Sequence, residues 1–212
     1  MKYKLISLTA LLASATLFTA CNDDDTEVTT QPVEAVTVRS LPADPTTGVN
    51  PTTGRPTGTT GRYTLYNLRD NKTVANTDSA TNKWDVGFNG TTIIVNGGAI
   101  RSGQGGAYIH TGTFEELTTI PATATFAQDQ SPTQLAIPTG SGNGWYNYNQ
   151  AANLITPIPG RVLVIRTGDG KYAKMEILSY YENAPAQPDA NSRQRFYTFR
   201  YAYQPDGSKT LN

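Results

Sequence analysis

Two long runs with strand-type alternation, residues 161–167 (RVLVIRT) and 171–181 (KYAKMEILSYY), are separated only by Gly168-Asp169-Gly170. So short a gap admits no crossover connection, and the two runs must pair antiparallel, with Asp-Gly able to supply the positive φ angles of a type I′ turn. This hairpin commits the C-terminal half of the chain to antiparallel sheet. A third run, residues 196–204 (FYTFRYAYQ), follows a polar loop over residues 182–195. By the period of two, Tyr197, Phe199, Tyr201 and Tyr203 share one of its faces, while Phe196, Thr198, Arg200 and Ala202 share the other. Such an aromatic face is either core or the wall of a site, and core packing is the commoner use.

The same signals recur upstream. Residues 63–68 (YTLYNL) and 84–88 (WDVGF) are short β-type runs, and Asn89-Gly90 joins the second to residues 91–95 (TTIIV) as a two-residue hairpin. Val33, Val36, Val38 and Leu41 suggest a first strand. Residues 43–61 are rich in Pro, Thr and Gly and read as a linker-like loop. The one good helix signal is the capping box Thr113-Phe114-Glu115-Glu116, which predicts a turn or two of helix through Leu117. The chain therefore reads as an all-β, antiparallel domain over residues 33–212, with long loops and at most short helices.

The N-terminus has a different character. Lys2 and Lys4 precede an apolar run over residues 5–18, too short to span a bilayer and of the length of a signal-peptide core. It ends in Phe18-Thr19-Ala20-Cys21, which resembles a bacterial lipobox. Residues 1–20 are thus expected to be a lipoprotein signal peptide, Cys21 the lipidated residue, and residues 21–32 an acidic, Thr-rich tether. The acidic stretch Asn22-Asp23-Asp24-Asp25 resembles the surface-export signal of Bacteroidota lipoproteins. An outer-membrane, lipid-anchored, surface-exposed location follows from these resemblances.

Counts of residue types exclude several function classes. Among 212 residues there are 17 basic and 17 acidic side chains, so no net positive field attracts nucleic acid. The single cysteine excludes an intrachain disulfide and a thiolate zinc cluster, and the single histidine, His110, excludes HExxH and leaves little room for a catalytic triad. Gly103-Gln104-Gly105-Gly106 lacks the Gly-Lys-Ser/Thr ending of a phosphate loop. Glu115-Glu116 and Asp85, a carboxylate inside a strand that must be paired or exposed, complete no acid/base pair, and Asp85 is assigned a structural role. No enzyme motif is present.

Taken in order, Leu41-Pro42-Ala43-Asp44, Tyr66-Asn67-Leu68, Lys83-Trp84-Asp85-Val86-Gly87-Phe88, Ile94-Val95-Asn96-Gly97-Gly98, Gly105-Gly106-Ala107, Gly144-Trp145-Tyr146-Asn147-Tyr148 and residues 166–175 (RTGDGKYAKM), with Ser179-Tyr180-Tyr181 and Tyr197-Thr198-Phe199-Arg200-Tyr201, resemble the HmuY-like lipoproteins of Bacteroidota. The resemblance implies a β fold with a ligand cleft, heme as cofactor held by axial His or Met residues, and delivery of heme to a TonB-dependent outer-membrane receptor. Heme needs an apolar slot and at least one axial ligand. Trp145, Tyr146 and Tyr148 are candidate walls. His110 is the candidate iron ligand, with a hydrogen-bonded strand-end histidine as the alternative. Met175 is either a second ligand or core filler. Asn153 stands where relatives often have a histidine, and Tyr108, Tyr146 or Tyr148 could then serve as tyrosinate ligands. The alternative function is an HmuY-like surface protein that ligates no heme and binds a glycan, stacked on Trp145 and the tyrosines, or another surface protein.

Overall fold

The computed structural model describes residues 33–53 and 56–212. The expected signal peptide, the lipidated Cys21 and the tether over residues 21–32 lie outside the described residues. The predicted hairpin forms as β11 (Arg161–Arg166) and β12 (Tyr172–Tyr181), with Arg166 opposite Tyr172. Its turn is not type I′. Only Gly170 has a positive φ, +84°, and Thr167 N–H donates to Lys171 O at 2.9 Å while the Thr167 hydroxyl donates to Asp169 Oδ1 at 2.6 Å. A three-residue loop with its left-handed residue last matches the strand twist with one glycine instead of two positive-φ residues.

These strands lie in a five-stranded sheet of order β1-β13-β12-β11-β8, where β1 is Ala35–Pro42, β8 is Gly106–Thr111 and β13 is Gln194–Gln204. A four-stranded sheet of order β5-β4-β6-β7 contains β4 (Thr64–Asn67), β5 (Lys72–Val74), β6 (Val86–Asn89) and β7 (Thr92–Val95). The β6–β7 turn is Gly90-Thr91, one residue later than the sequence suggests, with Gly90 at φ +52° as the first central residue, the position where a type II′ turn needs glycine. Two small hairpins complete the fold: β2 (Gly48–Val49) with β3 (Pro56–Thr57), and β9 (Tyr146–Asn149) with β10 (Leu154–Pro157). All pairings are antiparallel.

The two larger sheets face each other across the core. Tyr66, Val86, Phe88, Ile93 and Val95 from one sheet meet Leu163, Ile165, Met175, Tyr197, Phe199 and Tyr201 from the other in one buried cluster. Phe88 lies between Tyr197 and Phe199, with ring centroids 4.8 and 5.4 Å away. The aromatic face of β13 is thus core. Its tyrosines also explain why phenylalanine would not serve: the Tyr197 hydroxyl donates to Gly90 O at 2.9 Å and that of Tyr201 to Leu68 O at 2.8 Å, both on the opposite sheet's turns. Each hydroxyl crosses the core and satisfies a carbonyl that no strand partner reaches.

Asp85 adds a second tie. Its carboxylate, 3% exposed, accepts from Leu68 N–H at 2.7 Å and Gly168 N–H at 3.0 Å, joining the β4–β5 and β11–β12 turns. Burial nonetheless pushes its pKa above the ordinary carboxylate value, against the lowering effect of those two amides.

The other face of the five-stranded sheet is covered by loop and not by sheet. Phe114, Leu117, Ile120 and Leu211 pack on Val162, Val164 and Ala202. Lys174, on β12, fastens this cover, its ammonium donating to Phe114 O at 2.7 Å and Leu117 O at 2.9 Å. The capping box is present, with Thr113 N–H donating to Glu116 Oε2 at 3.1 Å and Glu116 N–H to Thr113 Oγ1 at 3.2 Å. No helix follows it: residues 114–116 make a single turn, because Lys174 takes the Phe114 and Leu117 carbonyls and the next residues pair with the C-terminal segment through Leu211 N–H to Thr118 O at 2.7 Å. Nor is the stretch over residues 43–61 a linker, since Asp44 closes it, accepting from Thr60 N–H at 2.7 Å and Gly61 N–H at 2.8 Å.

Candidate functional site

His110 belongs to β8, an edge strand of the five-stranded sheet, one residue before its end. Register decides which way it faces. Ile109, Leu163, Met175, Tyr201 and Val36 lie side by side across the sheet and point into the core. His110 is the next residue along and sits opposite Val162, so it points to the outer, loop-covered face. The imidazole is half-buried and makes no hydrogen bond among the described residues. Gly112 leaves it room: a Cβ there would stand 2.6 Å from His110 Nε2. The nearest carboxylate influence is on Glu116, held below the ordinary glutamate range by the Thr113 amide and hydroxyl and, to a lesser degree, by His110. A strand-end imidazole with an unused nitrogen, next to a glycine and half open to solvent, is chemically able to accept a metal or a proton.

Met175 takes the core-filler place, the commoner of its two readings. It is fully buried, on the face opposite to His110, so the two side chains cannot meet at one iron. Trp145 is also packed away at 2% exposed. Its ring lies against Tyr146, Tyr197 and Tyr180 at 5.0, 5.2 and 5.7 Å, and its indole N–H donates to Thr91 O at 2.9 Å. Tyr146 is buried in the same cluster. Only Tyr148, 44% exposed on the β9–β10 hairpin, offers an open ring, and its hydroxyl donates to Asn153 Oδ1 at 3.1 Å. Asn153 takes φ +53° in that hairpin's turn, a conformation asparagine tolerates, so its role here is to turn the chain and hold Tyr148.

The tyrosinate candidates differ in the same way. Tyr108 shares the outer face with His110, and its hydroxyl is buried without a hydrogen-bond partner, while its ring meets Phe126 edge-on at 5.2 Å. Burial pushes its pKa up, which disfavours a tyrosinate. Of the three residues the sequence offers as slot walls, Trp145 and Tyr146 therefore fill the core, and Tyr148 stands exposed on the β9–β10 hairpin.

The polar lining of the molecule lies elsewhere. A groove of about 450 Å³ runs between the β4–β5 turn and the β11–β12 turn, lined by Asn67, Arg69, Lys72, Asp78, Asp169 and Tyr203, among others. Apart from Asp85, which the Leu68 and Gly168 amides hold, its charges are mutually paired: Arg69 with Asp169, Lys72 with Asp70 at 2.9 Å, Lys83 with Asp78 at 3.0 Å. Neither His110 nor any of the three candidate wall residues lines it. The described residues hold no group of three or more His, Cys, Asp and Glu side chains arranged for a metal ion, and no helix among them is long and apolar enough to cross a membrane.

Comparison with solved structures finds eight similar chains, among them the three that follow. One, from Bacteroides vulgatus, is designated an HmuY-like heme binding protein, with 17% identity, coverage of 80% of this chain and 91% of that chain, and a TM-score of 0.47. Another, from Bacteroides fragilis, is designated a lipoprotein, with 16% identity, coverage of 80% and 90%, and a TM-score of 0.47. The third is the apo form of a Tannerella forsythia HmuY analog, with 16% identity, coverage of 84% and 99%, and a TM-score of 0.46. No curated protein matches the chain. The family model described as HmuY protein matches residues 60–201, from the closure of the first long loop through the aromatic core of β13, and on that match the chain belongs to the HmuY family.

Proposed function

We propose that this chain is a non-enzymatic, lipid-anchored surface protein that captures heme through His110 and passes it to a TonB-dependent outer-membrane receptor. The observation that carries the reading is the position of His110 inside the family match: the chain's only imidazole is half-buried at a strand end, hydrogen-bonded to nothing among the described residues. Neutral imidazole is a common axial ligand of heme iron. The residues fit one axial bond and not a closed slot. Met175 faces the core, and Trp145 and Tyr146 are buried there. His110 therefore acts alone, and Gly112 keeps the approach to its Nε2 clear of a side chain. Cys21 supplies the membrane anchor, and the tether over residues 21–32 supplies reach. A bond held by one ligand at an exposed edge suits a carrier that must also release its cargo.

Hemin titration of the full chain, followed at the Soret band, tests this reading. A shifted Soret band that disappears in His110→Ala supports it; no binding beyond that of an albumin-like control sinks it. A second reading is favoured by the polar groove near Asn67 and Tyr203: an HmuY-family surface protein that ligates no heme and binds a glycan there. Its amide, carboxylate and tyrosine lining suits sugar hydroxyls. Stacking on Trp145 is not available to such a ligand, because the ring is buried. Oligosaccharide binding by calorimetry with no hemin response would select this second reading.

A further inference from the structure

The outer face of the four-stranded sheet carries a separate small cluster of Leu65, Trp84 and Ile94. Gly87, between Leu65 and Ile94 in the sheet, leaves space for both, since a Cβ there would lie 2.9 Å from Ile94 and 3.1 Å from Leu65. Over this cluster opens a concavity of about 340 Å³, whose apolar floor is Leu65, Trp84 and Ile94 and whose rim includes Tyr63, Ile100 and Arg101.

Arg101 has an unmet demand there. Its Nε is buried and has no hydrogen-bond partner. The nearest carboxylate oxygen, Asp129 Oδ2, is 3.8 Å away, beyond hydrogen-bond reach, and that fully buried carboxylate already accepts from Val95 N–H at 3.2 Å and Ala136 N–H at 2.9 Å. Asp129 thus holds the Nε edge of the guanidinium by charge, Nη1 donates to Ile100 O at 3.3 Å, and the side chain keeps 21% exposure at the rim. The Tyr63 hydroxyl makes no hydrogen bond among the described residues, and burial raises its pKa while the Arg101 charge opposes the rise. A partly exposed guanidinium and a tyrosine hydroxyl without a hydrogen bond among the described residues thus line the rim of a concavity with an apolar, aromatic floor, the arrangement of a small-molecule site. Its size is at the small end for such sites, which excludes a tetrapyrrole. A carboxylate would satisfy the arginine with a charge-assisted bond.

We propose that this concavity binds a small amphipathic carboxylate, its anionic head on Arg101 and Tyr63 and its apolar or aromatic body on Leu65, Trp84, Ile94 and Ile100. The site does not involve His110 and stands whether or not the chain binds heme. Calorimetric titration of the full chain with 3-phenylpropionate and with the neutral 3-phenylpropan-1-ol tests it, with Trp84 emission as the local reporter. The acid is expected to bind about tenfold or more tightly than the alcohol. Arg101→Gln removes that preference. Because Arg101→Gln also leaves Asp129 without its cation, Ile100→Asp serves as the second variant: Ile100 is 38% exposed, so the fold is kept, while the lost apolar contact weakens both ligands and the added negative charge weakens the acid further, which narrows or abolishes its preference over the alcohol. Equal binding of acid and alcohol, no binding of either, a preference that survives both variants, or displacement of 3-phenylpropionate by hemin would each overturn the proposal.

Discussion

The two faces of the five-stranded sheet differ in how completely their polar groups are satisfied. On the inner face every tyrosine hydroxyl of β13 finds an acceptor or donor, as with Tyr197 to Gly90 O, Tyr201 to Leu68 O and Tyr203 from Arg69. On the outer face the Tyr108 hydroxyl is buried without a partner, and the His110 imidazole makes no hydrogen bond. A closed account of hydrogen bonds marks structure, and open demands mark where a ligand or partner can add something. The inner face thus belongs to the fold, and the outer face and loop rims carry the candidates for function.

The comparison breaks most visibly at high pH. Burial raises the pKa values of Tyr66, Tyr180, Tyr181, Tyr197 and Tyr201 above the ordinary tyrosine value of about 10. Groups raised in the folded state stabilise it below their unfolded pKa and lose that contribution as the pH climbs through the folded one. Lys174 works in the opposite direction, because burial lowers its pKa, but it is one group against these five and against Tyr63 and Tyr108, which burial also raises. Thermal melting followed from pH 8 to 12 should therefore fall steeply above about pH 10.

At neutral pH the largest single loss is expected from Trp145→Ala, about 3–5 kcal/mol by chemical denaturation, the usual cost of removing a large buried aromatic. Asp85→Ala leaves the Leu68 and Gly168 amides unpaired and should cost about 3 kcal/mol, since each unsatisfied buried group costs roughly 1–3. If Asp85→Ala is nearly neutral, the two turns are not held through this carboxylate. Tyr201→Phe removes the hydroxyl that reaches Leu68 O at 2.8 Å and Asn71 Oδ1 at 3.2 Å, and should cost about 1 kcal/mol.

Local signals carried much of this fold and little of the site. The β11–β12 hairpin and the aromatic alternation of β13 depend on neighbours in sequence, so both are legible there. Strand β8 is not, because Gly106 and Ala107 have no β character of their own, and their partners, β11 and Ala127, lie far from them in sequence. The capping box at Thr113 is legible as chemistry but does not make a helix, because a lysine 57 and 60 residues away claims the carbonyls. Trp145 and Tyr146 show why aromatic richness alone misleads: wall and core draw on the same residue types, and only the packing tells them apart. Likewise, nothing in the sequence reveals that His110 and Met175 face opposite ways, since that depends on registers running across three strands.

The smallest effect on stability and the largest on function should coincide at His110. His110→Ala removes no hydrogen bond among the described residues and should shift stability by less than about 0.5 kcal/mol. The most direct test of the outer-face reading is therefore hemin titration of the full chain, of His110→Ala and of Met175→Leu, with the Soret band and the melting temperature measured on each. The account predicts a Soret shift in the parent chain and in Met175→Leu and none in His110→Ala, with the melting temperature of His110→Ala unchanged. A Soret shift that survives His110→Ala, or that is lost in Met175→Leu with the fold intact, would contradict it.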